Sequence, residues 1–138
     1  MKKPNAKCEF SSQRSHSLLQ NFRESIARQS VISIKKAFQD ASSAPAPRFW
    51  VSEARATRII SLMLKDKEDV LSAMLPEKRR MYMEIFRRVK KMMKENPEMP
   101  LGDIVFEVVN SQAPESYISW HYASILVNSL RNLNHKKK

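Results

Sequence analysis

Glycine occurs only once in this chain of 138 residues, at Gly102. A typical soluble protein of this length has roughly ten glycines, since glycine makes up about 7% of residues. Tight hairpin turns, phosphate-cradling loops of the GxGxxG or GxxxxGK[ST] type and the nucleophile elbow of hydrolases all require glycine. The chain is therefore expected to be mostly helical, and the enzyme classes built on those loops are excluded.

An internal repeat organises the chain at an offset of 67 residues. The stretch Ala46–Ser52 (APRFWVS) resembles Ala113–Ser119 (APESYIS), and the apolar pattern agrees on both sides of these stretches. We interpret residues 14–63 and 81–130 as two copies of one module. The alternative is chance agreement between two amphipathic helical stretches.

Each copy is predicted to contain a first helix, a short second helix, an Ala-Pro connector and a third helix. Ser52 and Ser119 stand where the third helices begin and are predicted to be their N-caps. Pro76 suits the first position of the long helix that opens the second copy. The predicted helices span about 15–28, 33–41 and 53–65 in copy one and 77–95, 101–110 and 120–133 in copy two.

The predicted fold is all-α, with two tandem three-helix, helix-turn-helix-like modules joined by a short helical linker. Module 1 covers residues 14–65, the linker 66–76 and module 2 residues 77–134. Residues 1–13 are expected to be a disordered basic N-terminus and 135–138 a basic tail.

The order of helices is that of a helix-turn-helix unit, but the connector is longer. The turn of that motif has about three or four residues, whereas Ser42–Val51 has ten. The third helix is therefore expected to cross the second at an angle unlike that of the DNA-binding motif. In the string AP-x-[FS]-[WY]-[VI]-S, the chain resembles small basic proteins of bacterial mobile elements. That resemblance extends over most of the chain and implies no particular activity.

Positive charge is concentrated in one helix-length segment. The chain has 25 Lys and Arg against 14 Asp and Glu, a net charge of +11. Residues 76–94 carry a net charge of +6, whereas residues 95–134 carry −4. Such segregation indicates the kind of partner rather than the fold.

This charge pattern predicts nucleic-acid contact, with duplex DNA favoured over RNA, through phosphate groups. Arg55 and Arg58 on a third helix could also reach guanine edges, with Arg48 close to the start of that helix. The alternative is that these are ordinary solvated cations whose stems cover the edge of the core. The candidate binding residues are Arg48, Arg55, Arg58, Arg79, Arg80, Arg87, Arg88, Lys90, Lys91 and Lys94.

Aromatic residues in the connectors have two possible roles. Phe49 and Trp50 could stack on unpaired bases or fold back to fill a small core. Trp50 and Tyr117 occupy equivalent positions in the repeat, which favours the second role. Both are therefore expected to be largely buried.

Enzymatic and metal-dependent functions are not expected. Cys8 is the only cysteine, the three histidines are far apart, and no cofactor loop or catalytic grouping is present. No apolar run approaches the ~18 residues that span a bilayer, and the N-terminus does not resemble a secretory signal. We expect a cytoplasmic protein without a membrane partner, cofactor or metal. The second copy of the repeat, residues 81–130, has a net charge of −1 and could contact a protein partner or a second molecule, so the alternative function is a structural or adaptor protein of a phage, mobile element or ribosome.

Overall fold

The structure, a computed structural model, describes residues 10–66 and 68–136 and is all-helical over those ranges, with no β-strand. The all-α prediction is confirmed. The α-helices are α1 (Ser11–Arg28), α2 (Ile34–Ser43), α3 (Glu53–Leu64), α4 (Pro76–Glu95), α5 (Leu101–Val109) and α6 (Trp120–Lys136), and a 3-10 helix (Glu68–Leu71) precedes α4.

Helix starts repeat at the offset seen in the sequence. Helices α2 and α5 begin 67 residues apart, and so do α3 and α6. Ser52 Oγ accepts a hydrogen bond from the Arg55 amide at 3.1 Å, and Ser119 Oγ accepts one from the Tyr122 amide at 3.1 Å. Both N-cap predictions are confirmed.

The ends and the linker differ in detail from the sequence prediction. Helix α1 begins at Ser11, within the stretch 1–13 that was expected to be disordered, because the Arg14 amide already donates to the Phe10 carbonyl at 2.8 Å. Residues 1–9 lie outside the described residues. The linker contains a single 3-10 turn rather than an α-helix. At the other end α6 continues to Lys136, and residues 137–138 lie outside the described residues.

The helices pack into two units whose composition differs from the predicted tandem modules. Unit 1 contains α1, α2 and α6, from the described parts of Met1–Ala46 and Pro114–Lys138. Unit 2, Pro47–Ala113, contains α3, the 3-10 helix, α4 and α5. Each unit therefore takes its first two helices from one copy of the repeat and its third helix from the other. The tandem arrangement of 14–65 and 77–134 is not confirmed.

Backbone hydrogen bonds from the two connectors stabilise this exchange of third helices between the two copies. In unit 2 the Phe49 amide donates to the Val109 carbonyl at 3.0 Å, and in unit 1 the Ser116 amide donates to the Ser42 carbonyl at 3.2 Å. The two bonds are related by the repeat offset, since donors and acceptors are each 67 residues apart. Each connector thus pairs with the end of a second helix from the other copy.

The core of unit 1 is formed by facing small and large side chains. The Phe22 and Phe38 rings stack with centroids 4.5 Å apart. Ser25 is 1% exposed and donates a hydrogen bond to Asp40 at 2.7 Å, which links α1 to α2. The buried core residues are Leu18, Leu19, Phe22, Ala37, Phe38, Ala41, Ala123 and Val127.

The core of unit 2 is built from α3, α4 and α5 with one connector aromatic added. Tyr82, Ile85 and Val89 form the buried stripe of α4, and α5 contributes Ile104, Val105, Val108 and Val109. From α3 come Ala56, Ile59, Ile60 and Met63.

Phe49, and not Trp50, is the fully buried aromatic of the first connector. Phe49 is 0% exposed, whereas Trp50 is only half-buried, so the expectation of a largely buried Trp50 is wrong. Neighbouring side chains in a non-helical segment point to different sides, and the backbone bond of Phe49 to Val109 directs Phe49 inward. The equivalent Tyr117 is buried as expected, but with a left-handed backbone (φ 55°) that Trp50 does not share.

Candidate nucleic-acid interface

One side of α4 presents a row of exposed cations to solvent. Met81, Tyr82, Ile85 and Val89 are buried, so the residues on the opposite side of the helix face outward. The distance along the axis from Arg79 to Lys94 is roughly 22 Å, at 1.5 Å per residue. We call this row the α4 basic face; its exposed members are Arg79, Arg80, Arg87, Lys90, Lys91 and Lys94.

A single carboxylate interrupts the row, and arginines neutralise it. Arg87 Nη2 lies 2.6 Å and Arg88 Nε 2.7 Å from Glu84 Oε2. The hydrogen bond from the Arg87 guanidinium, and after it that from Arg88, holds the pKa of the Glu84 carboxyl below its ordinary value. Glu84 thus orients Arg87 and Arg88 and remains ionised at neutral pH.

Arg88 differs from the other candidates because its donors are used within unit 2. Its Nη1 donates to the Ser111 hydroxyl at 3.2 Å and to the Gln112 carbonyl at 2.8 Å. The guanidinium carbon lies 5.0 Å from the centroid of the buried Phe49 ring. Arg88 therefore fastens α4 to the residues that follow α5, and we remove it from the phosphate-contact set.

Arg48 is likewise engaged by its surroundings. Its guanidinium donates to the Phe49 carbonyl at 2.9 Å, to the Val51 carbonyl at 2.8 Å and to Asn110 Oδ1 at 3.2 Å. Asn110 also donates to Glu53 Oε1 at 3.2 Å. Arg48 holds the first connector in its turn, and we assign it this positioning role instead of phosphate contact.

Arg55 and Arg58 lie on α3 beside the basic helix. Both are exposed, and both are close enough to the hydroxyl of Tyr82 on α4 to act on its ionisation. Burial raises the pKa of the Tyr82 hydroxyl, and the positive charges of Arg55 and Arg58 partly oppose this. The exchange of third helices therefore brings the α3 arginines into the same unit as the α4 basic face.

Lys90 and five further candidate cations have no carboxylate within ion-pairing distance among residues 10–66 and 68–136. Lys90 lies with its Nζ 5.2 Å from the centroid of the Phe86 ring. Because no existing ion pair has to break, these cations are available to an anionic partner. The five are Arg55, Arg58, Arg79, Lys91 and Lys94.

A cleft of about 420 Å³ lies along the edge of the α4 basic face. Arg87, Arg88 and Lys91 contribute positive charge to its lining, but Glu95 and Glu107 contribute negative charge. A pocket of mixed sign does not select an anion by charge alone. The extended surface, and not this cleft, is the stronger candidate for binding.

Unit 1 lacks an arginine at the position equivalent to Arg55. Tyr122 stands there and accepts a hydrogen bond from Arg14 Nη2 at 3.5 Å, with the guanidinium carbon 5.5 Å from its ring centroid. Unit 1 thus has an arginine–tyrosine contact between its first helix, α1, and its third helix, α6.

Two roles were missed by the sequence prediction, those of Arg88 and Arg48 as fastening residues. Helical spacing carried a signal for Arg88, because it lies three residues after Ile85 and seven after Met81, on the edge of the buried stripe. Nothing in the sequence indicated which carbonyl groups would surround Arg48.

Comparisons with family models, curated proteins and solved structures gave no match. Within the described ranges, no helix is both long and apolar enough to cross a bilayer. The same residues contain no group of three or more His, Cys, Asp or Glu placed to hold a metal ion.

Proposed function

We propose that this protein binds nucleic acid, with duplex DNA as the favoured partner, through phosphate contacts of the α4 basic face. It would act as an accessory or regulatory factor in the cytoplasm and not as an enzyme. The observation that carries the proposal is the row of exposed cations from Arg79 to Lys94, whose one carboxylate is already paired. The mobile-element setting is supported by the resemblance in sequence alone.

Binding would be driven mainly by the release of counterions. Duplex DNA has one charge per ~1.7 Å of axis, so a helix side roughly 22 Å long can meet several phosphates at once. Arg55 and Arg58 are exposed on α3, which packs against α4, and can extend the contact to base edges, where arginine pairs with guanine. We expect most of the affinity from α4 and any sequence preference from α3.

Duplex is favoured over single strands because the surface offers cations without an aromatic platform. Single-strand binding typically adds exposed rings on which bases stack. The Phe86 ring, on α4 itself, is half-buried with Lys90 over it. DNA is favoured over RNA because side chains cannot read the deep, narrow major groove of A-form RNA.

The test is a triple variant, Arg79→Gln, Lys91→Gln and Lys94→Gln, measured by fluorescence anisotropy with a random-sequence duplex at low salt. We expect affinity to fall alike for all sequences and the slope of log affinity against log salt to flatten by up to about 0.9 per lost phosphate contact. The fold should persist, because the three side chains are exposed.

A matched variant controls for net charge. Arg23→Gln, Arg28→Gln and Lys65→Gln remove the same charge from exposed positions outside α4 and should change the affinity less than threefold. Equal losses in both triple variants would show that net charge, and not the α4 basic face, determines binding. Failure of the wild type to bind any nucleic acid would favour the structural or adaptor function instead.

A further inference from the structure

Unit 1 exposes a cluster of aliphatic side chains between α1 and α2. Val31 is 85%, Ile32 59% and Ile34 53% exposed, and Lys35 and Lys36 follow directly. Isolated exposed apolar residues are normal on a protein surface, but a contiguous group marks an interaction site. We call Val31, Ile32, Ile34, Lys35 and Lys36 the unit 1 patch.

Two of the equivalent positions in unit 2 carry negative charge. At the repeat offset, Val31 corresponds to Glu98 and Lys36 to Asp103. Both acidic residues are exposed, and neither has a cation within ion-pairing distance in the part of the chain that the structure describes. Phe106, 52% exposed, lies one helical turn after Asp103 on α5.

We propose that these two surfaces bind each other in different molecules, so that the protein self-associates head to tail. The unit 2 patch consists of Glu98, Asp103, Phe106 and Glu107. Each patch combines exposed apolar area with charge, and the charges are opposite in sign, which favours this pairing over the pairing of like patches. A second copy of the chain therefore supplies the exposed apolar area and the negative charge that are complementary to the unit 1 patch.

The contact is heterologous, because the two surfaces are different. Two such contacts between the same molecules give a closed dimer, and single contacts give longer chains. The few aliphatic and charged groups involved place the association in the micromolar range, typical of small, transient interfaces. No residue of either patch belongs to the α4 basic face, but Glu107 lines the same cleft as Arg87 and Lys91, so the variants below leave Glu107 unchanged.

Sedimentation velocity from about 1 to 100 μM tests the association. The wild type should increase in mean mass with concentration, and high salt should weaken the association. Ile32→Ser, which removes an exposed apolar side chain, should weaken it about tenfold. Ile125→Ser is the matched control, because Ile125 is 48% exposed on α6 outside both patches, and it should behave as wild type.

Charge reversal distinguishes this partner from any other. Lys35→Glu with Lys36→Glu, and separately Glu98→Lys with Asp103→Lys, should each weaken self-association about tenfold or more. A mixture of the two variants allows two complementary contacts, one between the two unchanged patches and one between the two charge-reversed patches, and should associate within about threefold of wild type. A wild type that stays monomeric at about 100 μM, or a mixture that does not associate, would overturn the proposal. Circular dichroism of each variant confirms that its helices are intact.

Discussion

At the scale of single residues, burial and nearby acceptors separate side chains that look alike in the sequence. Arg88 and Lys91 are three residues apart on α4, but Arg88 donates to a hydroxyl and a carbonyl of unit 2, whereas Lys91 is exposed. Phe49 and Trp50 are adjacent, and only Phe49 is fully buried. The structural and the binding roles are therefore divided between neighbours.

The two connector aromatics give the first prediction. Phe49→Ala should lower the free energy of unfolding by about 3–5 kcal/mol, the usual cost of truncating a fully buried aromatic. Trp50→Ala should cost clearly less, about 1–2 kcal/mol, because part of that side chain is already in water. Urea denaturation followed by circular dichroism measures both. A larger loss for Trp50 than for Phe49 would contradict the assignment of Phe49 to the core.

The buried hydroxyl of Ser25 gives the second prediction. Ser25 donates to Asp40 and accepts from Gln29 Nε2 at 3.1 Å. Ser25→Ala should therefore cost about 1–3 kcal/mol at pH 7, as expected for a lost hydrogen bond to a charged group. Ser43→Ala is the matched control, because the Ser43 hydroxyl is exposed and bonds to carbonyls within its own helix.

The same pair predicts a dependence on pH. The hydrogen bond from Ser25 holds the pKa of Asp40 below its ordinary value of 3.8, with smaller help from Lys36 and Arg28 and against the effect of burial. A carboxyl with a lowered pKa stabilises the fold above its unfolded pKa, and this stabilisation is lost as pH falls through the folded value. Unfolding free energies should therefore decline below about pH 4, and less steeply in Ser25→Ala. Parallel declines in wild type and variant would show that Asp40 is not responsible.

At the scale of helices, the sequence predicted most helix boundaries and the outward orientation of the cations on α4. The repeat and the serine N-caps predicted where α3 and α6 begin, and the apolar spacing of α4 predicted which cations face outward. The partners of the third helices could not be predicted in this way. The two copies share one apolar pattern, so the buried stripe of α3 is complementary to either pair of first and second helices. The length of the ten-residue connector was the one sequence signal for this exchange, because it allows the third helix to pack against the first and second helices of the other copy.

At the scale of the whole molecule, the exchange makes unit 2 a continuous stretch and unit 1 a discontinuous one. Residues 47–113 contain all helices of unit 2, and this fragment should be helical and unfold cooperatively when expressed alone. Residues 14–65 correspond to the predicted first module but contain helices from both units, and we expect this fragment to be largely unfolded. Circular dichroism with thermal melting compares the two. A folded 14–65 fragment together with an unfolded 47–113 fragment would favour tandem modules.

The central claim, that the α4 basic face binds phosphate groups, is tested most directly by the salt dependence of wild-type binding to a random duplex. The six exposed cations of that face lie along one side of a single helix, and we expect about three to five of them to contact phosphates together. The slope of log affinity against log salt should then be about −2.7 to −4.5, at roughly 0.9 per contact, with little dependence on sequence. Binding weaker than ~100 μM at low salt to duplex DNA, single-stranded DNA and RNA alike, or a slope near zero, would contradict the claim.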